Sequence, residues 1–309
     1  MDTTIRSITI PAMDSLQLAA DIIMPVNNQV IGTILVHPAT GLTKKFYLKF
    51  ARYMAGESYR VIIYDYRGMG DSRNSKLRNV KCSMLDWALL DMNGVLNFAV
   101  EYFSSQPIYW VGHSIGGQFM ALMDRYDCIT KVIAINSSTG YWKSFRFPFN
   151  LYSLFLWKVF LPLSIPLLGY GPISRYGLGQ DIPAGAARQW ARWCCDPDHF
   201  AETLRQESGR FDFSHFNVPI TAFGSSDDFI ATSDNIDRLL SFYPSSPRKK
   251  IMVSPEQAGV YRIAHTGFFR SGPGGKIWPL ILREIEHDDR NAGETLPLIH
   301  VGEPAIRFT

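Results

Sequence analysis

The chain has 309 residues, of which 46% are hydrophobic and 19% are charged. This length is sufficient for one large domain with an insertion or for two smaller domains, and the composition is too apolar for a disordered chain. The net charge is only +3, and no dense run of Lys and Arg with interleaved aromatic residues occurs. These features argue against nucleic acid as a partner.

The first half of the chain alternates apolar, strand-like runs with amphipathic helical segments. A hairpin is predicted over 5–10 and 16–24, around Asp14 and Ser15. Further strands are predicted at 30–36, 60–66, 107–111 and 131–136, and helices at 46–58, 84–103 and 115–125. Because these strands are apolar on both faces, the alternation predicts a parallel sheet covered by helices on each side.

The alternation stops near residue 140 and resumes about 70 residues later. Residues 141–205 are rich in Trp, Phe, Leu and Pro, and no strand is predicted there. Strands follow at 218–224 and 248–254, and helices at 234–242 and 276–288. We therefore predict an α/β core over 1–140 and 206–290, an inserted helical cap over 141–205, and a C-terminal tail over 291–309.

Cysteine usage and the N-terminus bear on metal binding and location. The four cysteines are Cys82, Cys128, Cys194 and Cys195. Their spacing forms no CxxC pair, so no metal site is predicted. The first fifteen residues lack the apolar region of a secretory signal, and a cytoplasmic protein is expected.

The apolar stretch 151–168 is the one segment that resembles a membrane span. It contains Lys158, Pro162 and Pro166, and its uninterrupted apolar runs are much shorter than the ~20 residues that a span requires. No transmembrane segment is therefore predicted, although lipid contact by the predicted cap stays open.

Residues 108–117 read IYWVGHSIGG and place a G-x-S-x-G pattern at the end of a buried strand. The pattern alone is weak, because a glycine-rich turn would look the same. A strand before the serine and a helix after it are the context of a nucleophile elbow. The sequence therefore predicts Ser114 as a nucleophile, with the amino end of helix 115–125 directed at the site.

A nucleophilic serine needs a base and an orienting acid, which in this architecture follow in the order Ser, Asp or Glu, His. Six of the seven histidines lie before the serine, before the acid strand, or in or after the last helix. Only His265, in the loop IAHTGFF, has the right position, and it is the predicted base.

Two adjacent carboxylates, Asp227 and Asp228, follow the strand at 218–224. Asp228 is followed by Phe-Ile-Ala-Thr, a sequence pattern common after a triad acid. Asp227 instead has the more common spacing of three residues from Gly224. Asp228 is the favoured acid and Asp227 the alternative. The other carboxylate would serve as a turn or helix cap.

The oxyanion of an acyl-transfer intermediate needs two backbone donors. One is predicted at Ile115, directly after the serine, and the other in the loop 37–41. Pro38 has no N–H, so Ala39 is the predicted second donor, with Thr40 next.

The segments HPATG, DYRGMGDS, GHSIGG, GSSDDFIAT and HTGFF stand in the order of the α/β-hydrolase superfamily, which the chain resembles over nearly its whole length. More narrowly, PATGLTKKFY, RQWARWC and HTGFFR resemble a bacterial group of predicted serine hydrolases. The resemblance implies an α/β-hydrolase fold with a mostly parallel eight-stranded sheet, helices on both faces, a cap and no cofactor. His-Pro replaces the usual His-Gly of the oxyanion loop, and the acid position is doubled.

A serine nucleophile favours acyl-enzyme chemistry on a small-molecule acyl ester. The predicted function is a carboxylesterase-like or lipase-like serine hydrolase that cleaves an ester or thioester of a medium-sized apolar acyl group. An acyltransferase or amidase with the same triad, and a non-catalytic binding protein of this fold, are the alternatives. The aromatic segment 145–170 would line the acyl pocket, touch lipid, or only pack onto the core.

Overall fold

The computed structural model of the chain describes residues 2–197, 206 and 213–287, and an eight-stranded sheet lies at its centre. The strands are β1 (Thr3–Pro11), β2 (Gln17–Pro25), β3 (Gly32–His37), β4 (Tyr59–Tyr64), β5 (Ile108–His113), β6 (Ile129–Ile135), β7 (Tyr170–Gly171), β8 (Ile182–Pro183), β9 (Ile220–Ser225) and β10 (Arg248–Val253). The large sheet has the order β1-β2-β4-β3-β5-β6-β9-β10, and β7 and β8 pair separately.

Helices cover both faces of this sheet. They are α1 (Lys44–Gly56), α2 (Met84–Asp86), α3 (Asn93–Phe103), α4 (Phe149–Phe155), α5 (Leu161–Leu168), α6 (Ala184–Cys195), α7 (Ser233–Ser241) and α8 (Pro273–Glu286). A π-helical turn, Trp87–Met92, joins α2 to α3, and a second one, Leu156–Phe160, joins α4 to α5. The predicted hairpin and the parallel strands that follow it are thus present.

The strands bury side chains on both faces because each face packs against helices. On β3, Leu35 belongs to the apolar cluster that includes α3 and α6, whereas Ile34 and Val36 belong to the cluster with α1 and α8. Trp110 and Val111 on β5 divide in the same way. This two-sided burial explains why the strands lack an alternating polar pattern.

All strands from β3 onwards in the large sheet are parallel, so their carboxyl ends meet at one edge. The chain order reverses at β3, which lies between β4 and β5. A crevice forms at such a reversal, and ligands bind there in open α/β sheets. The register pairs His37 with Gly112 and His113 with Ile135, which brings the ends of β3, β5 and β6 level.

Two sequence predictions are wrong, namely the helix after Ser114 and the absence of strands from the inserted segment. The α-helix expected over 115–125 is replaced by two short 3₁₀ helices, Ser114–Gly117 and Met120–Leu122. Two adjacent glycines disfavour an α-helix at its start, and the residues from Phe119 to Met123 are all buried, so no exposed helical face exists. Strands β7 and β8, found where none was expected, have two residues each and are too short for a visible alternation.

The inserted segment between β6 and β9 contains α4, α5 and α6, and its helix continues through both prolines. The wide turn of the π-helix Leu156–Phe160 lies where the ring of Pro162 would otherwise meet the carbonyl of Lys158. By length and composition alone, Phe149–Leu168 could cross a membrane, with 20 residues, a mean hydropathy of 1.7 and 28% of its apolar window buried. The division into core, cap and tail stays a prediction, and the tail lies outside the described residues.

Candidate active site

Ser114 follows β5 directly and stands at the carboxyl edge of the sheet. Its φ of 52° lies in the left-handed region, which is strained for a residue with a side chain. The side chain is partly exposed, and its hydroxyl makes no hydrogen bond to any residue in the described part of the chain. The turn therefore leaves the hydroxyl partly exposed at the sheet edge, without a hydrogen bond to His265.

The glycines around Ser114 permit a close approach of backbone segments. A Cβ on Gly116 would overlap the carbonyl oxygen of His37, and one on Gly112 would overlap the carbonyl oxygen of Gly116. Trp110 Nε1 on β5 donates to the Gly116 carbonyl at 2.9 Å and stabilises the turn that contains Ser114. A side chain at Gly116 would push the serine turn away from β3, and one at Gly112 would push the turn away from β5.

His265 and Asp228 are in direct contact. His265 Nδ1 lies 2.7 Å from Asp228 Oδ2, while the Ile230 backbone N–H donates to Asp228 Oδ1 at 2.8 Å. The carboxylate is 1% exposed and the imidazole 20% exposed. Because the carboxylate accepts at Nδ1, the lone pair of neutral His265 is at Nε2, the atom that a general base uses.

The environment of Asp228 keeps its carboxyl ionised. Burial by itself would raise the pKa, but the charge and hydrogen bond of His265 and the backbone N–H groups of Ile230 and Ala231 outweigh it. The pKa of Asp228 is therefore below its ordinary value.

Asp227 contacts the backbone of the histidine loop rather than the imidazole. Its carboxylate accepts the N–H of Ile263 at 3.0 Å and that of Ala264 at 2.8 Å, and the hydroxyl of Ser225 also donates to it. Burial would raise the pKa of Asp227, but these hydrogen bonds lower it. The two carboxylates thus have different partners, Asp228 the ring and Asp227 the main chain.

Two further side chains hold the carbonyl group of His265, and sequence reasoning missed both. Asn136 Nδ2 donates to the His265 oxygen at 2.9 Å and to the Ala264 oxygen at 3.1 Å. His113 Nε2 lies 2.8 Å from the same His265 oxygen. Asn136 ends the run KVIAIN directly after β6, and a polar residue at a strand's carboxyl end was the available signal.

His113 also connects the histidine loop to the loop after β3. Burial, followed by the charge of His265, lowers the pKa of His113 to about 3, so its ring is neutral. Its Nε2 faces a carbonyl and carries the hydrogen, and its Nδ1 accepts from Tyr47 Oη at 2.9 Å. Tyr47 Oη in turn accepts the backbone N–H of Ala39 at 2.8 Å.

This last contact corrects the predicted oxyanion loop. The Ala39 N–H is buried and occupied by the Tyr47 hydroxyl, so it is not directed at the serine. Thr40 is half-buried, and its N–H has no hydrogen-bond acceptor in the described part of the chain. The Ile115 N–H lies in the first turn of the 3₁₀ helix Ser114–Gly117, where backbone donors have no acceptor within the helix.

The inserted segment borders the site on two sides. The Arg146 N–H donates to the Phe229 carbonyl at 3.1 Å, next to Asp228. On the other side, the Gln180 N–H donates to the Gly41 carbonyl at 2.7 Å, in the loop after β3. No group of three or more His, Cys, Asp or Glu side chains in the described ranges is arranged to hold a metal ion.

The aromatic segment 145–170 divides into a buried and an exposed set. The buried set packs into the core and consists of Phe145, Leu156, Trp157, Leu161 and Ile165. The exposed set consists of Phe147, Leu151, Tyr152, Phe155, Val159, Leu163 and Leu167. The apolar side chains of the segment therefore divide between those that pack into the core and those that face solvent.

Comparison with protein families identifies the chain. A family model described as serine aminopeptidase, S33, matches residues 28–256, which is more than half of the chain. The chain belongs to this family. The family is part of the α/β-hydrolase superfamily, so the predicted resemblance is confirmed. The matched range includes Ser114 and Asp228, and His265 follows it. No match was found among curated protein sequences.

Solved structures support the fold. An esterase from Thermogutta terrifontis aligns with a TM-score of 0.60 at 15% identity, covering 91% of this chain and 100% of that one. A Pyrococcus furiosus esterase aligns with a TM-score of 0.60 at 11% identity, covering 92% and 91% of the two chains. The esterase domain of a Rhodothermus marinus protein gives 0.55 at 14%, covering 90% and 96%. The predicted α/β-hydrolase fold is confirmed.

The contacts of Asp227 predict a pH-dependent contribution to stability. Asp227→Asn should lower the free energy of unfolding by about 1–2 kcal/mol at neutral pH, because two backbone donors lose a charged acceptor. The folded-state pKa is lowered from 3.8, so the difference from wild type persists above that value and shrinks as pH falls through the lowered pKa. Urea unfolding at several pH values measures it. Asp127→Asn, at an exposed carboxylate, is the control, and an equal effect there would contradict the assignment.

Proposed function

We propose that this hydrolase cleaves a carboxylic ester or thioester of a medium-sized apolar acyl group through an acyl-enzyme on Ser114. The proposal rests on one observation. The His265 ring is held at Nδ1 by the buried Asp228 carboxylate, at the sheet edge where the strained Ser114 turn presents its hydroxyl. The His113 and His265 ring centroids are 5.5 Å apart, which brings the base beside the residue preceding the nucleophile.

In the proposed mechanism, Ser114 Oγ attacks the substrate carbonyl while His265 Nε2 accepts its proton. Asp228 stabilises the imidazolium that forms. The Ile115 and Thr40 N–H groups donate to the oxyanion, with Thr40 replacing Ala39 in this role. The intermediate collapses to the acyl-enzyme, and His265 returns the proton to the departing alcohol or thiol. Water then attacks the acyl group by the same route and releases the acid.

Esters are preferred over aminopeptidase substrates on charge grounds. An aminopeptidase must bind the free ammonium group of its substrate, which calls for a carboxylate near the serine. Among the described residues, the two carboxylates that contact the histidine loop, Asp227 and Asp228, are both engaged in internal hydrogen bonds. A substrate with an uncharged acyl group therefore suits this site better than one with an ammonium group, which would lack a carboxylate partner.

The proposed apolar preference rests on aromatic side chains next to the acid and at the start of the inserted segment. Phe229, directly after Asp228, is 43% exposed, and Tyr141 and Trp142 are half-buried where the inserted segment begins. Aromatic surface at this position favours an apolar acyl chain over a short or charged one.

Labelling with a fluorophosphonate tests the nucleophile. Wild-type protein should gain one adduct, detected by intact mass, because an activated serine attacks the phosphorus atom. Ser114→Ala should gain none and should lose ester hydrolysis. Ser138→Ala, at a buried serine near the same sheet edge, is the matched control and should label like wild type. A wild-type protein without adduct would support the non-catalytic alternative.

Separate substitutions of the two carboxylates test the acid. Asp228→Asn should lower kcat by about 10⁴-fold, because the amide favours the wrong tautomer of His265. Asp227→Asn should lower kcat by less than about tenfold, because the ring keeps its charged partner. Steady-state kinetics on one p-nitrophenyl ester measures both. The reverse ranking would make Asp227 the acid.

A p-nitrophenyl ester series from acetate to decanoate tests the acyl group. We expect kcat/KM to peak at a medium chain and to exceed that for acetate by about tenfold or more. Phe229→Ser should reduce this ratio while changing the acetate rate less. Activity that peaks at acetate in the wild-type protein would contradict the proposed apolar preference.

A further inference from the structure

The inserted segment carries an exposed apolar stripe on its outer side. Leu151, Phe155, Val159, Leu163 and Leu167 recur every four residues along Phe149–Leu168 and lie on one helical face. Each is at least 40% exposed, and Leu167 is 84% exposed. We call these five residues the outer stripe. Large contiguous apolar surface of this kind marks an interaction site.

The opposite face of the same helix is anchored to the protein. Trp157, Leu161 and Ile165 are buried, and the Trp157 ring packs edge-on against Trp190 of α6 with centroids 4.4 Å apart. The helix therefore has one face for the core and one for a partner. Lys158, in the middle of the helix, is exposed beside the stripe. This arrangement suits a helix that lies along a surface rather than one that crosses it.

Cations lie to one side of the outer stripe, where Pro162 and Pro166, the neighbours of Leu163 and Leu167, line a groove with Lys158. Three grooves of about 440, 560 and 610 Å³ follow one another along this side of the molecule. The first and second share Arg188, and the second and third share Arg78, so the grooves are neighbours on the surface. We define the basic belt as six of the seven exposed cations that line these grooves, leaving out Arg192: Arg73, Lys76, Arg78, Lys81, Lys158 and Arg188.

The belt is a local excess of positive charge. None of its six members forms an ion pair with another residue in the described ranges. Residues 72–85 contain four cations and no acidic residue, although the whole chain has a net charge of only +3. Asp86, which lines the second groove, is engaged in capping α2 through Ser83. The described residues that line the three grooves include this one carboxylate against the six cations of the belt, so a net positive charge faces solvent.

We propose that the outer stripe and the basic belt together form a docking surface for an anionic lipid bilayer. The apolar side chains would enter the interface, while the cations contact lipid phosphates and attract the negatively charged surface. A nucleic acid would neutralise the belt but leave the stripe in water. A second copy of the chain would cover the stripe but bring two belts of like charge together. Only the bilayer satisfies both features.

Vesicle co-sedimentation of the full chain tests the proposal without depending on catalysis. Binding should be strong to phosphatidylcholine vesicles with about one third phosphatidylglycerol and weak to pure phosphatidylcholine. It should fall as NaCl rises to about 0.5 M, because salt screens the belt. Lys76→Gln/Lys81→Gln/Arg188→Gln should weaken binding by about a hundredfold, roughly fivefold per charge. Leu163→Ser/Leu167→Ser should weaken it by about tenfold or more.

Matched variants at the opposite edge of the sheet serve as controls. Val26→Ser/Ile31→Ser removes two similarly exposed apolar side chains, and Arg6→Gln removes an exposed cation, so both should bind like wild type. Binding independent of lipid charge, or binding that the Leu163→Ser/Leu167→Ser variant keeps, would overturn the proposal. So would sedimentation velocity that shows a wild-type dimer and a Leu163→Ser/Leu167→Ser monomer.

Discussion

The backbone of His265 is held by side chains from three different strand ends, and the geometry of the site depends on these contacts. Asn136 after β6 and His113 at the end of β5 donate to its carbonyl, and Asp227 after β9 accepts the N–H groups of the two preceding residues. Ala264 has a φ of 49°, a conformation that such contacts must stabilise. With the main chain fixed in this way, the ring needs only Asp228 to set its tautomer and direction.

The same network reaches the opposite side of the serine. Through His113 and Tyr47 it continues to the Ala39 N–H, so an unbroken series of buried and partly buried hydrogen bonds joins the loop after β3 to the loop after β10. Burial raises the pKa of Tyr47 and lowers that of His113, and both groups stay neutral. A neutral series avoids the cost of a buried charge and fixes the distance between the serine turn and its neighbours.

Chain order and strand pattern were sufficient to predict the sheet, the hairpin, and the positions of Ser114, His265 and the acid loop. They were not sufficient to choose between Asp227 and Asp228. These adjacent residues on one turn point to different partners, and only the tertiary geometry separates them. The Ala39 error has a similar origin. Its N–H is occupied by Tyr47, a residue eight positions away whose hydroxyl reaches the loop only after α1 has packed. The prediction of a helix over 115–125 was wrong because a local apolar pattern does not distinguish a fully buried segment from a helix buried on one side.

The inserted segment has two separate relations to the rest of the molecule. Arg146 and Gln180, on either side of the helix Phe149–Leu168, contact the acid loop and the loop after β3, whereas the helix itself exposes an apolar face. A helix that only covered the core would gain nothing from exposed Leu163 and Leu167, since apolar surface left in water contributes no stability to the fold. Because the exposed face and these two contacts belong to one inserted segment, a partner bound to the outer face would contact the same segment that is hydrogen-bonded to the acid loop and to the loop after β3.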